Sequence, residues 1–251
     1  LKCVGCDIEY ASRDPNGLVG RSFTFGNCKS LKEIDFPEGL MIINAEAFFG
    51  CESLKEIRLP STLKGIGRHA FQNCGLETVT LAEGISQGAW TYLSSYPGDG
   101  VFYGCTSLKN INIPSNWTAI PEGFLQGAAG PSQLTIPSNI TSIGAHAFEG
   151  CTGLTSIVIP DSVTGVGKYA FYESGLTSIS IPDSVTEENF GEFAIGGCTK
   201  LAQIHIPSTW TTLPDGLLQG NEVLTSFTIP ENIRKIGESA FSGSLLTEIV
   251  L

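Results

Sequence analysis

The stretch Pro137–Pro160, PSNITSIGAHAFEGCTGLTSIVIP, decides the fold. Its apolar residues fall at Ile140, Ile143, Ala147, Phe148, Leu154, Ile157 and Ile159. That spacing fits neither the 3.6-residue period of a long amphipathic helix nor the alternation of a single strand. The pattern returns about every 23 residues along the chain. A fixed period of roughly 20–50 residues marks a solenoid.

Repeat prolines stand at Pro15, Pro37, Pro60, Pro114, Pro137, Pro160, Pro182, Pro207 and Pro230, with Ala82 in their place once, and they divide residues 15–251 into ten coils. Most coils share the template P-x-x-[VIL]-x-x-I-G-x-x-A-F-x-x-C-x-x-L-x-x-I-x-I. At its end Ile157 and Ile159 alternate with Ser156 and Val158, the mark of a half-buried strand. Stacked coils would join these strands into a parallel sheet with neighbours about 4.8 Å apart. Proline then closes the strand, because it lacks the N–H that a ladder needs and fixes φ. A short apolar segment (Ile140, Ile143) and a tight helical or 3₁₀ turn around Ala147-Phe148 complete the predicted coil. Gly67, Gly144, Gly167 and Gly237, with Asn44 in one coil, occupy the corner after the second isoleucine. These residue types accept positive φ, so the corner is predicted to be left-handed. Pro121 and Pro214 cannot adopt that φ, and their corners are predicted to take another shape.

A longer period lies above the coil. PSNWTAIPEGFLQG (114–127) and PSTWTTLPDGLLQG (207–220) are near-copies 93 residues apart. The coils from Pro60 and Pro160 both have 22 residues, and those from Ala82 and Pro182 both carry insertions before their cysteines, of 9 and 2 residues. The chain therefore repeats a four-coil unit, 37–136 and 137–229, whose 7-residue difference in length is the difference between the insertions. Residues 1–14 fit the template poorly and are predicted to be an N-terminal cap, since the end of a solenoid needs atypical sequence. The final LTEIVL matches the strand before a repeat proline, so the array is predicted to be truncated at its C-terminus.

These motifs together, the L-x-x-I-x-I-P strand, the V/I-x-x-I-G corner and the A-F-x-x-C turn, resemble the BspA-like (Treponema-type) leucine-rich repeat family over residues 15–251. The resemblance implies a repeat solenoid, a right-handed leucine-rich-repeat β/α superhelix dominated by β structure. It also implies a bacterial or parasite protein that is secreted or held at the cell surface, with roles in adhesion to host matrix proteins or other microbes. The family has no shared catalytic motif, so the resemblance implies a non-enzymatic interaction module without a cofactor.

The composition excludes other partners. A formal charge of −11 and a pI near 4.7 oppose binding to nucleic acid, which needs clustered Lys and Arg. They oppose an anionic membrane surface for the same reason. No run of 18 apolar residues is present to form a membrane span.

Eight cysteines raise the question of metal or disulfide chemistry. Six of them, Cys28, Cys51, Cys74, Cys105, Cys151 and Cys198, occupy one template position, where Ala128, Ser174, Asn221 and Ser244 replace cysteine in other coils. A position that accepts all four residue types wants a small side chain, so these are read as buried free thiols and not as zinc ligands. Cys3 and Cys6 form a lone CxxC, open between a local disulfide pinning the cap and two free thiols. His69 and His146 share the variable position before Ala-Phe and are predicted to be exposed turn residues; His205 is predicted to point off a strand. Outward strand positions, such as Glu56/Arg58, Asn110/Asn112 and Ser178/Ser180, carry no aromatic stripe and read as a solvated face. N-W-T at Asn116 and N-I-T at Asn139 are glycosylation sequons placed in the template turn.

The 9-residue insertion is the candidate binding site. Residues 89–100, AWTYLSSYPGDG, place Trp90, Tyr92 and Tyr96 on an enlarged loop, where aromatics on a rigid scaffold serve recognition. The alternative is that these rings fold back over the adjacent coil. If the loop binds, its ligand is a protein or a host or microbial surface component, or alternatively a carbohydrate or cell-wall polymer stacked on its aromatics. Trp117 and Trp210 take the core position of Ile140 and are predicted to be buried.

Overall fold

Each template coil folds as two short strands, each paired in parallel with the like strand of a neighbouring coil, and one double turn, and the described residues form a β-solenoid of about nine turns with almost no helix. The computed structural model describes residues 18–19, 25–91 and 100–250, with backbone alone at 18, 19 and 91. The cap predicted at 1–14, and Cys3 and Cys6 within it, lie outside the described residues. The chain divides into two compact units, one of Leu1–Trp117 and Pro121–Pro131, the other of Thr118–Ile120 and Ser132–Leu251.

In the first unit the L-x-x-I-x-I segments Glu56–Leu59, Thr78–Leu81 and Asn110–Ile111 form a three-stranded parallel sheet. Ile57 lies opposite Val79 and Leu59 opposite Leu81, so like residues of successive coils share a face. Glu56 and Arg58 are exposed while Ile57 and Leu59 are buried, as the period of two requires. The segment ending at the second isoleucine is also a strand: Leu18–Val19, Ile42–Ile43 and Gly65–Ile66 form a second parallel sheet. The second unit repeats the arrangement. Ala119–Ile120, Ser142–Ile143 and Gly165–Val166 line up on one side. Gln133–Thr135 pairs with Ser156–Val158, Ser178–Ser180 with Gln203–His205, and Ser226–Thr228 with Glu248–Val250.

Between the strands, each coil fills its own slice of core. Leu40, Ile43, Ala47, Phe48, Leu54, Ile57 and Leu59 are all buried. The phenylalanines of the A-F position stack directly on one another. Phe25–Phe48 and Phe48–Phe71 have ring centroids 4.9 and 5.1 Å apart, with planes within 7° of parallel. Phe148–Phe171 repeats the contact at 5.3 Å in the second unit. The centroid spacing is close to the distance between neighbouring strands, so coil stacking brings the rings into face contact without displacement.

The turn around Ala-Phe differs from the helical or 3₁₀ turn that the sequence predicts. It is a run of consecutive turns, because its N–H groups alternate in direction. Those of Glu46, Phe48 and Gly50 donate to Arg68, Ala70 and Gln72 of the next coil, at 3.1, 2.8 and 2.8 Å. Those of Phe49 and Cys51 donate back to Glu46 and Phe48 in the same coil, at 3.0 and 3.3 Å. A helix would need all of them internally. Among the described residues the helical segments are the 3₁₀ turns Gln87–Thr91 and Glu187–Asn189, both in coils with insertions.

The corner also differs from the prediction. Gly67, Gly167 and Gly237 do not have positive φ; the left-handed residue comes two positions later, at Glu46, His69, His146, Tyr169 and Ser239. In the Pro121 and Pro214 coils it is Gly123 and Gly216, so proline leaves the turn unchanged. At Gly67, Gly167 and Gly237 the corner leaves no room for a side chain, whereas Asn44, Pro121 and Pro214 fit the same position in their own coils. A Cβ on Gly67 would stand 2.1 Å from the backbone nitrogen of Ala45, and one on Gly167 would stand 2.4 Å from that of Ala145. Gly175, in a 22-residue coil, is constrained in the same way: its Cβ would lie 2.2 Å from the carbonyl oxygen of Thr152.

Two outcomes follow from this packing. Phe148→Ala removes a fully buried ring from the stack and is expected to lower unfolding stability by about 3–5 kcal/mol in denaturant titration. Gly167→Ala sets a methyl against backbone that cannot rotate away, and is expected to cost at least about 1–3 kcal/mol. A loss below about 0.5 kcal/mol, within ordinary surface scatter, would refute the close-approach account.

Candidate functional site

The insertion chosen from sequence as a binding loop starts from the 3₁₀ turn Gln87–Thr91. The shorter insertion of the second four-coil unit starts from Glu187–Asn189. Counted from Ala82 and Pro182, Trp90 and Phe190 stand at the same offset. Both rings are buried, with 3% and 5% of their surface exposed. Trp90 meets Trp117 edge-on, centroids 5.2 Å apart, and touches Phe124 at 5.6 Å. Phe190 meets Trp210 at 5.1 Å. The ring of Trp90 therefore belongs to its coil's core and its Nε1 finds no acceptor among the described residues. Tyr92 and Tyr96, the other two candidate binding residues, lie outside the described residues.

Trp117 and Trp210 are buried, as their place in the template predicts. Each indole N–H donates to the carbonyl of the matching residue one coil earlier, Ile85 or Val185, at 2.8 Å in both cases. In ordinary coils the matching carbonyls, of Leu40, Ile140 and Val163, accept from the hydroxyls of Thr62, Ser162 and Ser184 at 2.8, 2.7 and 2.6 Å. Asn116 joins this series: its amide donates to Ile85 O at 3.1 Å while its carbonyl accepts the Gly84 N–H at 3.2 Å. The sequon residue is thus a tie between coils. Asn112, read from sequence as outward, also reaches across, bonding both the N–H and the carbonyl of Leu81.

The template cysteines within the described residues are free thiols, and all but Cys28 are buried. They do more than fill space. Cys51, Cys74, Cys105 and Cys198 each direct Sγ at the carbonyl of the stacked phenylalanine one coil earlier, Phe25, Phe48, Phe71 and Phe171, at 3.0–3.2 Å. The small residues accepted here include other donors. Ser174 lies 3.3 Å from Cys198 Sγ, and Asn221 donates to Leu201 O at 2.7 Å. Burial pushes the Cys105 thiol up to about 12 and that of Cys198 up to about 11, from an ordinary 9.0, with backbone and side-chain hydrogen bonds opposing it. Such thiols stay protonated and are poor nucleophiles and poor metal ligands.

His205 is exposed on its strand, as predicted. His69 and His146 do occupy turns, but they are half-buried, not exposed. The reason is an aromatic column that the sequence reading missed. In three consecutive coils the left-handed position before the A-F site holds His146, Tyr169 and Phe193, with φ of 56°, 55° and 56°. His146 stacks on Tyr169 with centroids 5.2 Å apart and planes 12° from parallel; Tyr169 stacks on Phe193 at 5.5 Å and 7°. Tyr172 meets Tyr169 edge-on at 5.3 Å. Carboxylates border the column. Glu149 Oε2 lies 2.6 Å from His146 Nδ1, and Glu192 pairs with Lys168 at 2.8 Å. Burial raises the Tyr172 hydroxyl above its ordinary value, reinforced by the charge of Glu173. The intervals of 23 and 24 residues between these aromatics were available in the sequence. The short insertion before Phe193 breaks the template there, which hid the third ring.

A family model described as the BspA type leucine rich repeat region matches the chain in six copies, over residues 21–129, 95–187 and 130–248. Among solved structures, the chain is similar to a leucine-rich repeat protein from Bacteroides ovatus at 23% identity and TM-score 0.58, covering 90% of this chain and 74% of that one. This likeness shows the fold. The chain also matches a leucine rich cell surface protein from Faecalibacterium prausnitzii, with 25% identity and TM-score 0.46 over 84% of this chain and 79% of that one. It matches a pneumococcal vaccine antigen at 16% identity and TM-score 0.49, over 84% and 67%. No curated protein matches it.

The raised thiols give stability a pH dependence. The unfolded chain ionises its cysteines near the ordinary value of 9.0 while Cys105 and Cys198 hold their protons to about 12 and 11. Their contribution is complete below pH 9 and is lost as pH rises through the folded values. Under reducing conditions, the denaturation midpoint is expected to fall between pH 8.5 and about 11, and to fall less in a Cys105→Ser/Cys198→Ser variant. Identical slopes in the two proteins would exclude these thiols as the titrating groups.

Proposed function

The chain belongs to the BspA-type leucine-rich repeat family, and on that premise we propose that it is a non-enzymatic interaction module, secreted or at the cell surface, that recognises a protein of a host or microbial surface. The observation that carries this reading is how the titratable and nucleophilic groups are used. The buried thiols bond to backbone carbonyls of the stack, and His146 is held between Glu149 and Tyr169. The thiols are committed to coil stacking, while outward side chains of the strands and of the double turn repeat at coil spacing as addressable rows. Solenoids of this kind bind along their extended faces. Recognition of proteins as the basis of adhesion is the form this function takes in our reading.

Burial of Trp90 supports a protein ligand over a carbohydrate, because a sugar platform needs an open aromatic face and this ring is enclosed by Trp117 and Phe124. The carbohydrate alternative rests on Tyr92 and Tyr96. Parallel screening of the chain against immobilised matrix proteins and a glycan array distinguishes the two. Saturable binding to at least one protein, retained in a Tyr92→Ala/Tyr96→Ala variant, is the expected result. Binding confined to glycans and lost in that variant would replace it with the carbohydrate reading.

A further inference from the structure

The column of His146, Tyr169 and Phe193 is costly to build. Positive φ disfavours bulky side chains, and glycine fills the same position in the Pro121 and Pro214 coils. Aromatic rings are nevertheless placed there in three consecutive coils, half-buried at the surface. Their exposure has a definite character. At 5.2 and 5.5 Å spacing the rings cover each other's faces, so their edges are what they turn outward. A sugar or a cation seeking a π-face finds the inner faces taken. The surface that remains is an apolar ridge, about 10 Å long over two coil rises, widened by Tyr172.

Carboxylates flank this ridge. Glu149 stands on His146, Glu173 and Tyr172 both lie against Gly197, and Glu192 is matched by Lys168. The chain as a whole carries a formal charge of −11. Arginine and lysine suit both components of such a surface: their methylene stems cover apolar edges while the charged heads reach outward to anions. We propose that the ridge of His146, Tyr169, Tyr172 and Phe193, rimmed by Glu149 and Glu173, is the docking surface for an arginine- and lysine-bearing segment of a partner protein. The inference rests on the protein-recognition reading above and adds the place and the chemistry of the partner.

The test uses the full chain with labelled hexa-arginine and hexa-glutamate peptides, read by fluorescence anisotropy. Hexa-arginine is expected to bind at least tenfold more tightly than hexa-glutamate. His146→Gly/Tyr169→Gly/Phe193→Gly removes the rings while keeping the left-handed turn, and is expected to weaken hexa-arginine binding at least tenfold. Glu149→Gln/Glu173→Gln, which leaves the rings in place, is expected to do the same. Glu38→Gln/Glu231→Gln removes equal charge in the exposed proline turns and is expected to change affinity less than twofold. Circular dichroism melts verify that each variant is folded, and the glutamine pair decides the matter if the glycine variant is not. Absence of hexa-arginine binding, equal binding of the two peptides, or unchanged affinity in the glutamine pair overturns the proposal. A chain that binds a matrix protein equally well with and without the rings overturns the ridge alone, whereas a chain that binds no protein overturns the parent reading.

Discussion

Where glycine holds the corner after the second strand, successive coils touch backbone to backbone, and the coil spacing around Gly67 and Gly167 depends on that approach. With a Cβ at Gly67 the neighbouring nitrogen of Ala45 would lie 2.1 Å away, so the coils would have to separate. Separation would weaken several interactions together. The strand ladder, the phenylalanine stack and the thiol-to-carbonyl bonds all have the same coil spacing, and each is short-ranged. This is why stability in such an array resides in nearest-neighbour interfaces and not in one central core. It is also why the columns along a unit are so uniform in residue type.

The parts of this fold that were legible in the sequence are those that one coil determines alone. Alternation in SIVI and the proline after it mark the strand and its end, and burial of Ile157 with exposure of Val158 follows. The parts that were not legible depend on the coil next door. Ala-Phe-x-x-Cys reads as a helical turn until the acceptors for Phe48 and Gly50 are found one coil away. Glycine at the corner has two possible reasons, its φ or its missing side chain, and a single sequence does not separate them. Cysteine, serine and asparagine look like small fillers until the carbonyl of Phe25 or Phe171 is seen in front of the donor. The candidate site divides the same way. Trp90 stood out as an aromatic in a loop, but its partner Trp117 lies one coil further on, whereas the His146 column became visible when the coils were aligned in space.

The internal duplication explains why Trp90 is buried. Its counterpart Phe190 sits after a much shorter insertion and makes the same contact with the tryptophan of the next coil. The ring therefore belongs to the shared four-coil design, and the extra length of the first insertion falls after it, between residues 91 and 100. Tryptophan brings an additional N–H to its position in the Trp117 and Trp210 coils, and the same carbonyl position of the earlier coil accepts it both times. Duplication has copied an inter-coil hydrogen bond along with the residues that make it.

The alternation of N–H direction in the double turn has one more consequence. Along this edge the donors of one coil point forward to the acceptors of the next, from Glu46, Phe48 and Gly50 to the carbonyls of Arg68, Ala70 and Gln72, and again from His146, Phe148 and Gly150 to those of Lys168, Ala170 and Tyr172. The edge is polar in the sense that a filament is polar: one rim consists of donors and the other of acceptors. Two coils meeting rim to like rim would set N–H against N–H or oxygen against oxygen, and neither arrangement can bond. Through this edge, therefore, one coil can bond the next in a single sense, head to tail.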